Sequence, residues 1–148
     1  ALPAIREKVG PVPLYLVGSN PPDSLKVLAS DDIVVTGFVS DEVLQSYYAL
    51  ARLSIAPLRY GAGVKGKVVE AMRNGLPVVT TSTGAQGFPD AHALLVADDP
   101  ETFAAHVVTL LSDRTEWVTR AEKNVALARE LFSTDAMRRA LANSIEML

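Results

Sequence analysis

One stretch, residues 56–88, carries most of the side chains equipped for chemistry: APLRYGAGVKGKVVEAMRNGLPVVTTSTGAQGF. A glycine-rich turn that runs into a helix leaves the first backbone N–H groups of that helix without intrahelical partners, and these donors, with the helix dipole, favour an anion. Phosphate is the natural guest. Gly61 and Gly63 lack the β-carbons that would obstruct close approach, while Lys65 and Lys67 put positive charge in the first turn, where an empty helix disfavours it. At about 100° per residue, Val64, Val68, Ala71 and Met72 form one apolar stripe, Lys67, Glu70 and Asn74 collect on the neighbouring polar face, and Lys65 points elsewhere. A cation and a carboxylate on one surface suit a ligand that carries both a diphosphate and a vicinal diol. A Lys and a Glu three apart also read as a solvent-exposed pair, and the turn matches neither the G-x-G-x-x-G spacing nor the P-loop.

The elements that must position these groups are short. An apolar run over 12–17 is followed by Gly18, Ser19, Asn20, Pro21 and Pro22 and predicts a buried strand that ends in a loop. A second strand is expected over 33–36, stopped by Gly37. Ser40 as N-cap, Asp41 and Glu42 in the first turn, and Val43, Leu44, Tyr47, Tyr48 and Leu50 at helical spacing predict a helix. A third strand over 53–56 stops at Pro57, and a helix is expected over 64–74, with Gly75 as its stop and Pro77 beyond. Brief strands over 78–80 and 94–96 flank a turn with Gly84, Gly87 and Pro89. After Pro100 the chain reads as helical, with breaks near 112–114 and 133–135. Short apolar strands without strict alternation, separated by helices, point to α/β architecture with a doubly wound parallel sheet covered on both faces. No internal repeat suggests a second domain.

The 148 residues, 49% hydrophobic and 21% charged, suit one globular domain with a core of its own. A formal charge of -3 with no Lys/Arg run argues against nucleic acid or anionic lipid as a partner. No apolar run approaches the roughly 20 residues that span a bilayer, so a cytoplasmic location is expected. Absent cysteines exclude disulfides and thiolate metal sites, and two isolated histidines form no ligand cluster, so no metal cofactor is expected. A sequence that opens at Ala1 reads as processed or excised from a longer protein.

The run from Gly63 through Val64, Lys65, Gly66, Lys67, Val68, Val69, Glu70 and Ala71 to Met72, followed by Gly75, Leu76, Pro77, Val78, Val79 and Thr80, resembles the nucleotide-binding signature of GT-B glycosyltransferases of the group-1 type, family four. Val17 and Gly18 after a strand, the stretch from Thr36 through Phe38 and Val39 to Ser40 before a helix, and Asp98, Asp99, Pro100 and Glu101 before the final helices resemble that family in the same order. The resemblance implies a Rossmann-like C-terminal half, 1–148, that binds the nucleotide-diphosphate sugar of a retaining glycosyltransferase without a metal. It also implies that the first strand of this domain, its basic loop and the acceptor domain lie outside the sequence, and that the acceptor domain supplies any membrane-peripheral attachment.

By the same resemblance Glu70 holds the ribose hydroxyls, and its partner glutamate would fall at Ala62, a departure that touches recognition of the sugar. The backbone at Phe38 and Val39 matches the strand end that meets the nucleobase, Gly18 the end of the preceding strand, and Gly63 to Gly66 the turn near the diphosphate, with Gly61, Ala62 and Val64 counted among the binding residues beside it. Lys65 and Lys67, by their position, supply charge in place of the absent basic loop. No catalytic residue is assigned. Two other functions stand beside transfer: a nucleotide-sugar epimerase of the same fold, and a binding or interaction module without turnover. An NAD-binding domain is disfavoured by the missing glycine fingerprint and ribose acid. His92 and His106 read as structural or exposed, Trp117 as a packing anchor, and at least one of Tyr47 and Tyr48 as core. Thr81, Ser82 and Thr83 suit either the ligand cleft or an ordinary turn. The apolar Leu141, Ile145, Met147 and Leu148 are expected to be left uncovered.

Overall fold

A computed structural model describes residues 1–88 and 93–146, with the side chains of 140, 141 and 143–146 left out. The expectations for Pro89, His92, Leu141, Ile145, Met147 and Leu148 lie outside what is described. The chain opens with a helix absent from the sequence-based expectation, α1 (Leu2–Val9), which carries Pro3 in its first turn, buries Ile5 and stops at Gly10, where φ is 79°. Then come β1 (Leu14–Val17), the single turn α2 (Asp23–Lys26), β2 (Ile33–Gly37) and α3 (Asp41–Leu50). Ser40 caps α3 as its sequence predicts, its Oγ accepting from the Val43 N–H at 3.4 Å.

β3 (Ser54–Ala56), α4 (Gly66–Arg73), β4 (Val78–Thr80) and β5 (Leu95–Val96) follow, and the chain ends in α5 (Pro100–Ser112), α6 (Arg114–Phe132) and α7 (Thr134–Glu146). The two expected breaks are the two helix junctions. At the first, Asp113 accepts from the N–H groups of Thr115 and Glu116 and so starts α6 where α5 has run out. Gly75, at φ 77°, ends α4 in a backbone conformation that a β-carbon would strain.

Every strand pair is parallel, as the sequence predicts, but the described strands form two sheets in place of one continuous sheet. β1 pairs with β2, Val17 standing opposite Gly37, and β4 lies between β3 and β5. Among the described residues no strand joins β1 to β3. β4 shows why both faces need helices. Its residues are all buried, with Val78 packed among Val68, Ala71 and Met72 of α4 and Leu127 and Ala128 of α6. Val79 turns the other way, among Ile5 of α1 and Phe103, Val107 and Leu110 of α5. Successive residues thus serve opposite layers, and a strand with no solvent face shows no polar alternation. The architecture is α/β with parallel strands and a helical C-terminal tail. Among the described residues no helix is long and apolar enough to cross a membrane.

Candidate functional site

Parallel pairing brings the residues picked out by sequence to the carboxyl ends of strands, where open α/β sheets present their ligand crevice. Gly18 follows β1, and Phe38 and Val39 follow β2. The Val17–Gly37 pairing sets those two loops side by side. Phe38 is 82% exposed and Val39 half-buried, while Gly37 needs its φ of 74° to turn the chain out of β2. Gly61, Ala62, Gly63 and Val64 occupy the loop after β3, and all four are exposed.

The helix after that loop begins two residues later than its apolar pattern suggests. Val64 lies outside α4 and is 41% exposed, so the core stripe is Val68, Ala71 and Met72, widened by Val69. The physical reason is a contact invisible in a one-dimensional pattern. Gly87 closes on Val64 so tightly that a β-carbon there would stand 2.5 Å from Val64 Cγ2 and 3.1 Å from its backbone nitrogen. Val64 therefore serves as the seat of the next loop, and the helical donors start at Gly66, with Lys65 in extended backbone as the N-cap. A lysine has no acceptor, and no side chain of the cap residue satisfies the first N–H groups of α4. The Lys65 ammonium folds back and donates to the Gly63 carbonyl at 2.5 Å, so it braces the turn. Lys67 is exposed in the first turn.

Glu70 sits four residues after Gly66, on the same face and one helical turn of about 5.4 Å along, and helical side chains lean toward the N-terminus. Its carboxylate is half-buried and is met from α3, where the Tyr48 hydroxyl donates to Oε2 at 3.3 Å. Burial, then the adjoining Glu70 charge, push the Tyr48 hydroxyl up to about 12. Asn74, expected beside Glu70 on the polar face, is exposed at the C-cap of α4 and donates its amide to the Glu70 backbone carbonyl at 2.9 Å. At least one of Tyr47 and Tyr48 is expected in the core, but both are half-buried, Tyr48 packing against the core from its edge, and no local spacing announces its contact with a residue 22 positions away.

The hydroxyls of Thr80, at the end of β4, and of Thr81 and Ser82 after it bond within the protein. Thr80 donates to the Ala56 carbonyl at 2.8 Å, Thr81 to the Leu58 carbonyl at 2.6 Å, and the Thr81 oxygen accepts from Gly84 N–H at 3.2 Å. Ser82 binds Asp98 through both its N–H and its hydroxyl, at 2.9 and 3.0 Å. His106 is half-buried on α5. Trp117 is the anchor its sequence suggests, donating to the Arg52 carbonyl at 2.5 Å with the Arg52 guanidinium 4.9 Å from its ring. An open cavity of about 740 Å³ is walled by Ser82, Gln86, Phe88, Val96, Arg120 and Lys123 among others, but neither Glu70 nor the 61–67 turn lines it. Among the described residues no three His, Cys, Asp or Glu side chains stand together as a metal cluster would require.

Comparison with known proteins places this arrangement in context. An uncharacterized 44.6 kDa protein in the cps region of Klebsiella pneumoniae is 44% identical over 71 residues, which is 47% of this chain and 18% of that protein. Sucrose-phosphate synthase from Thermosynechococcus elongatus superposes on 99% of the chain with a TM-score of 0.76 at 21% identity, a likeness of fold. The chain spans 40% of that synthase's length. The Rossmann-like α/β fold is therefore the one the resemblance implies. A family model described as glycosyl transferases group 1 matches residues 1–113, from the first helix to the cap of α6. On that match, which includes both strand-end loops, the α4 turn and Glu70, the chain belongs to the group 1 glycosyl transferases.

Proposed function

We propose that residues 1–148 form the donor-binding half of a retaining glycosyltransferase of the GT-B type, family four, which works in the cytoplasm on a nucleotide-diphosphate sugar, with the acceptor domain and a further strand elsewhere in the same protein. The observation that carries this is the placement of Glu70 on the face of Gly66, one turn behind an N-terminus that no side chain of its cap residue closes. A diphosphate on the first N–H groups of α4 sets its pentose about one turn away, within reach of the carboxylate. Among the described residues β1 and β3 each keep one edge without a partner strand, which supports a strand between the two sheets. Gly18, Phe38 and Val39 then border the nucleobase, and Gly61, Ala62, Gly63 and Val64 the sugar and diphosphate.

In transfer, the bond from the anomeric carbon to the diphosphate oxygen breaks with its electron pair left on the diphosphate. The acceptor oxygen makes the new bond, and its proton goes to the departing group. The helix start and Lys67 stabilise the growing negative charge, a role that asks for no metal from this half. Ala62 offers the sugar no carboxylate, so the sugar hydroxyls take their contacts elsewhere.

Calorimetry on the full-length protein with UDP, GDP and ADP in turn tests the reading. Glu70→Ala is expected to weaken the diphosphate that binds best by about tenfold or more. Unchanged affinity removes Glu70 from the site. Labelled donor then separates the chemistries, since transfer or hydrolysis supports a transferase and an inverted sugar stereocentre supports an epimerase.

A further inference from the structure

The donor-binding reading gives Glu70 its task, and a second residue makes that task possible. A free glutamate on an open helix face samples several rotamers, whereas a vicinal diol needs both carboxylate oxygens held toward it. We infer that Tyr48 is a positioning residue for the Glu70 carboxylate and, through it, determines selectivity for the ribose diol. Its hydroxyl donates to Oε2 at 3.3 Å from another helix, and its ring is half-buried against the cluster that contains Val68 and Met72. Tyr47, the preceding residue, meets Tyr15 of β1 with ring centroids 5.3 Å apart and the ring planes tilted by 48°, so α3 is held to β1 as well as to α4. An ionised carboxylate offers about four acceptor positions. The phenol occupies one, which leaves Oε1 and a lone pair of Oε2 for the two pentose hydroxyls. A phenol pairs with Glu70 without neutralising it, as a lysine there would, so the negative charge stays available to hydroxyl donors.

This inference rests on Glu70 facing the pentose, and the test separates the two. Calorimetry on the full-length protein compares UDP, GDP or ADP, whichever binds, with the 2′,3′-dideoxy form of the same nucleotide. Tyr48→Phe is expected to weaken the ribonucleotide about three- to tenfold and to leave the dideoxy analogue unchanged. In a Glu70→Ala background the same substitution is expected to change neither. Equal loss for both nucleotides, or loss that persists without Glu70, assigns Tyr48 a packing role and overturns the inference. So does a Tyr48→Phe chain that no longer folds, because only one oxygen has been removed. If Glu70→Ala weakens binding and Tyr48→Phe does not, the positioning role alone fails. If Glu70→Ala itself changes nothing, the donor-binding reading fails with it.

Discussion

Two glycines of the same sequence neighbourhood carry opposite obligations. A β-carbon on Gly84 would overlap the Thr80 hydroxyl and come to 3.4 Å from the Ala56 carbonyl, the two atoms that join β3 to β4 by a hydrogen bond. A β-carbon on Gly66 meets nothing within 4 Å. Gly84→Ala is therefore expected to lower stability by about 1–3 kcal/mol, the usual range for overpacking. Gly66→Ala is expected to leave the thermal midpoint unchanged or raised, because alanine is the better helix former, while it weakens diphosphate binding by standing over the first N–H groups. Paired thermal melts and calorimetry check both, and a Gly66→Ala protein that binds as tightly as the native one removes the phosphates from that turn. Sequence alone exposed the glycines as a turn but did not separate these roles. Which glycine is forced by packing depends on Thr80 and Val64, contacts made in three dimensions.

At the scale of elements, the strands and the long helices were legible because each is bounded by local punctuation: Gly37, Ser40, Pro57, Gly75, and the capping acids Asp99 and Asp113. Four things were not, the first being the single turn α2, which no helix was expected to occupy. α1 is short and its apolar Leu2, Ile5 and Val9 follow no capping residue, so its helical spacing has no start signal. The start of α4 moved from Val64 to Gly66 because Gly87 claims Val64. The fourth, the hydrogen bond that the Tyr48 phenol makes from α3 to Glu70 of α4, has a pH signature. Tyr48 ionises at about 12 in the fold against 10.0 when unperturbed, so the protonated hydroxyl favours the folded state. That contribution is complete below pH 10 and disappears as the pH rises through 12. Urea midpoints are expected to fall across this window, and Tyr48→Phe is expected to flatten the fall. An unaltered slope in the variant places the alkaline loss in other groups.

For the molecule as a whole, the strand regions differ in how they are enclosed. β4 is buried along its whole length between helices of two layers, while β1 and β2 leave Tyr15 46% and Val34 37% exposed. Exchange of backbone amides in the 148-residue chain is expected to be slowest in β4 and at least about tenfold faster in β1 and β2. Peptide-resolved deuterium uptake measures this, and equal protection of the two sheets would contradict it. The parallel class and the layered helices were readable from composition and spacing. The division into two sheets was not, because pairing is a relation between segments and leaves no mark in either one.

The two sheets are nonetheless spanned by α1 as well as α3. Arg6 grips the Val12 carbonyl at 3.2 Å and Asp32 at 2.7 Å, beside the entrances to β1 and β2, while Ile5 on the same helix is sunk beside Val79 of β4. Two struts anchored at separate points remove the swivel that a single one would permit. The loop after β2 and the Gly66 turn, which belong to separate sheets, are thereby held in one frame, so on the donor-binding reading a ligand that bridges them meets a gap set by the struts and not by the ligand.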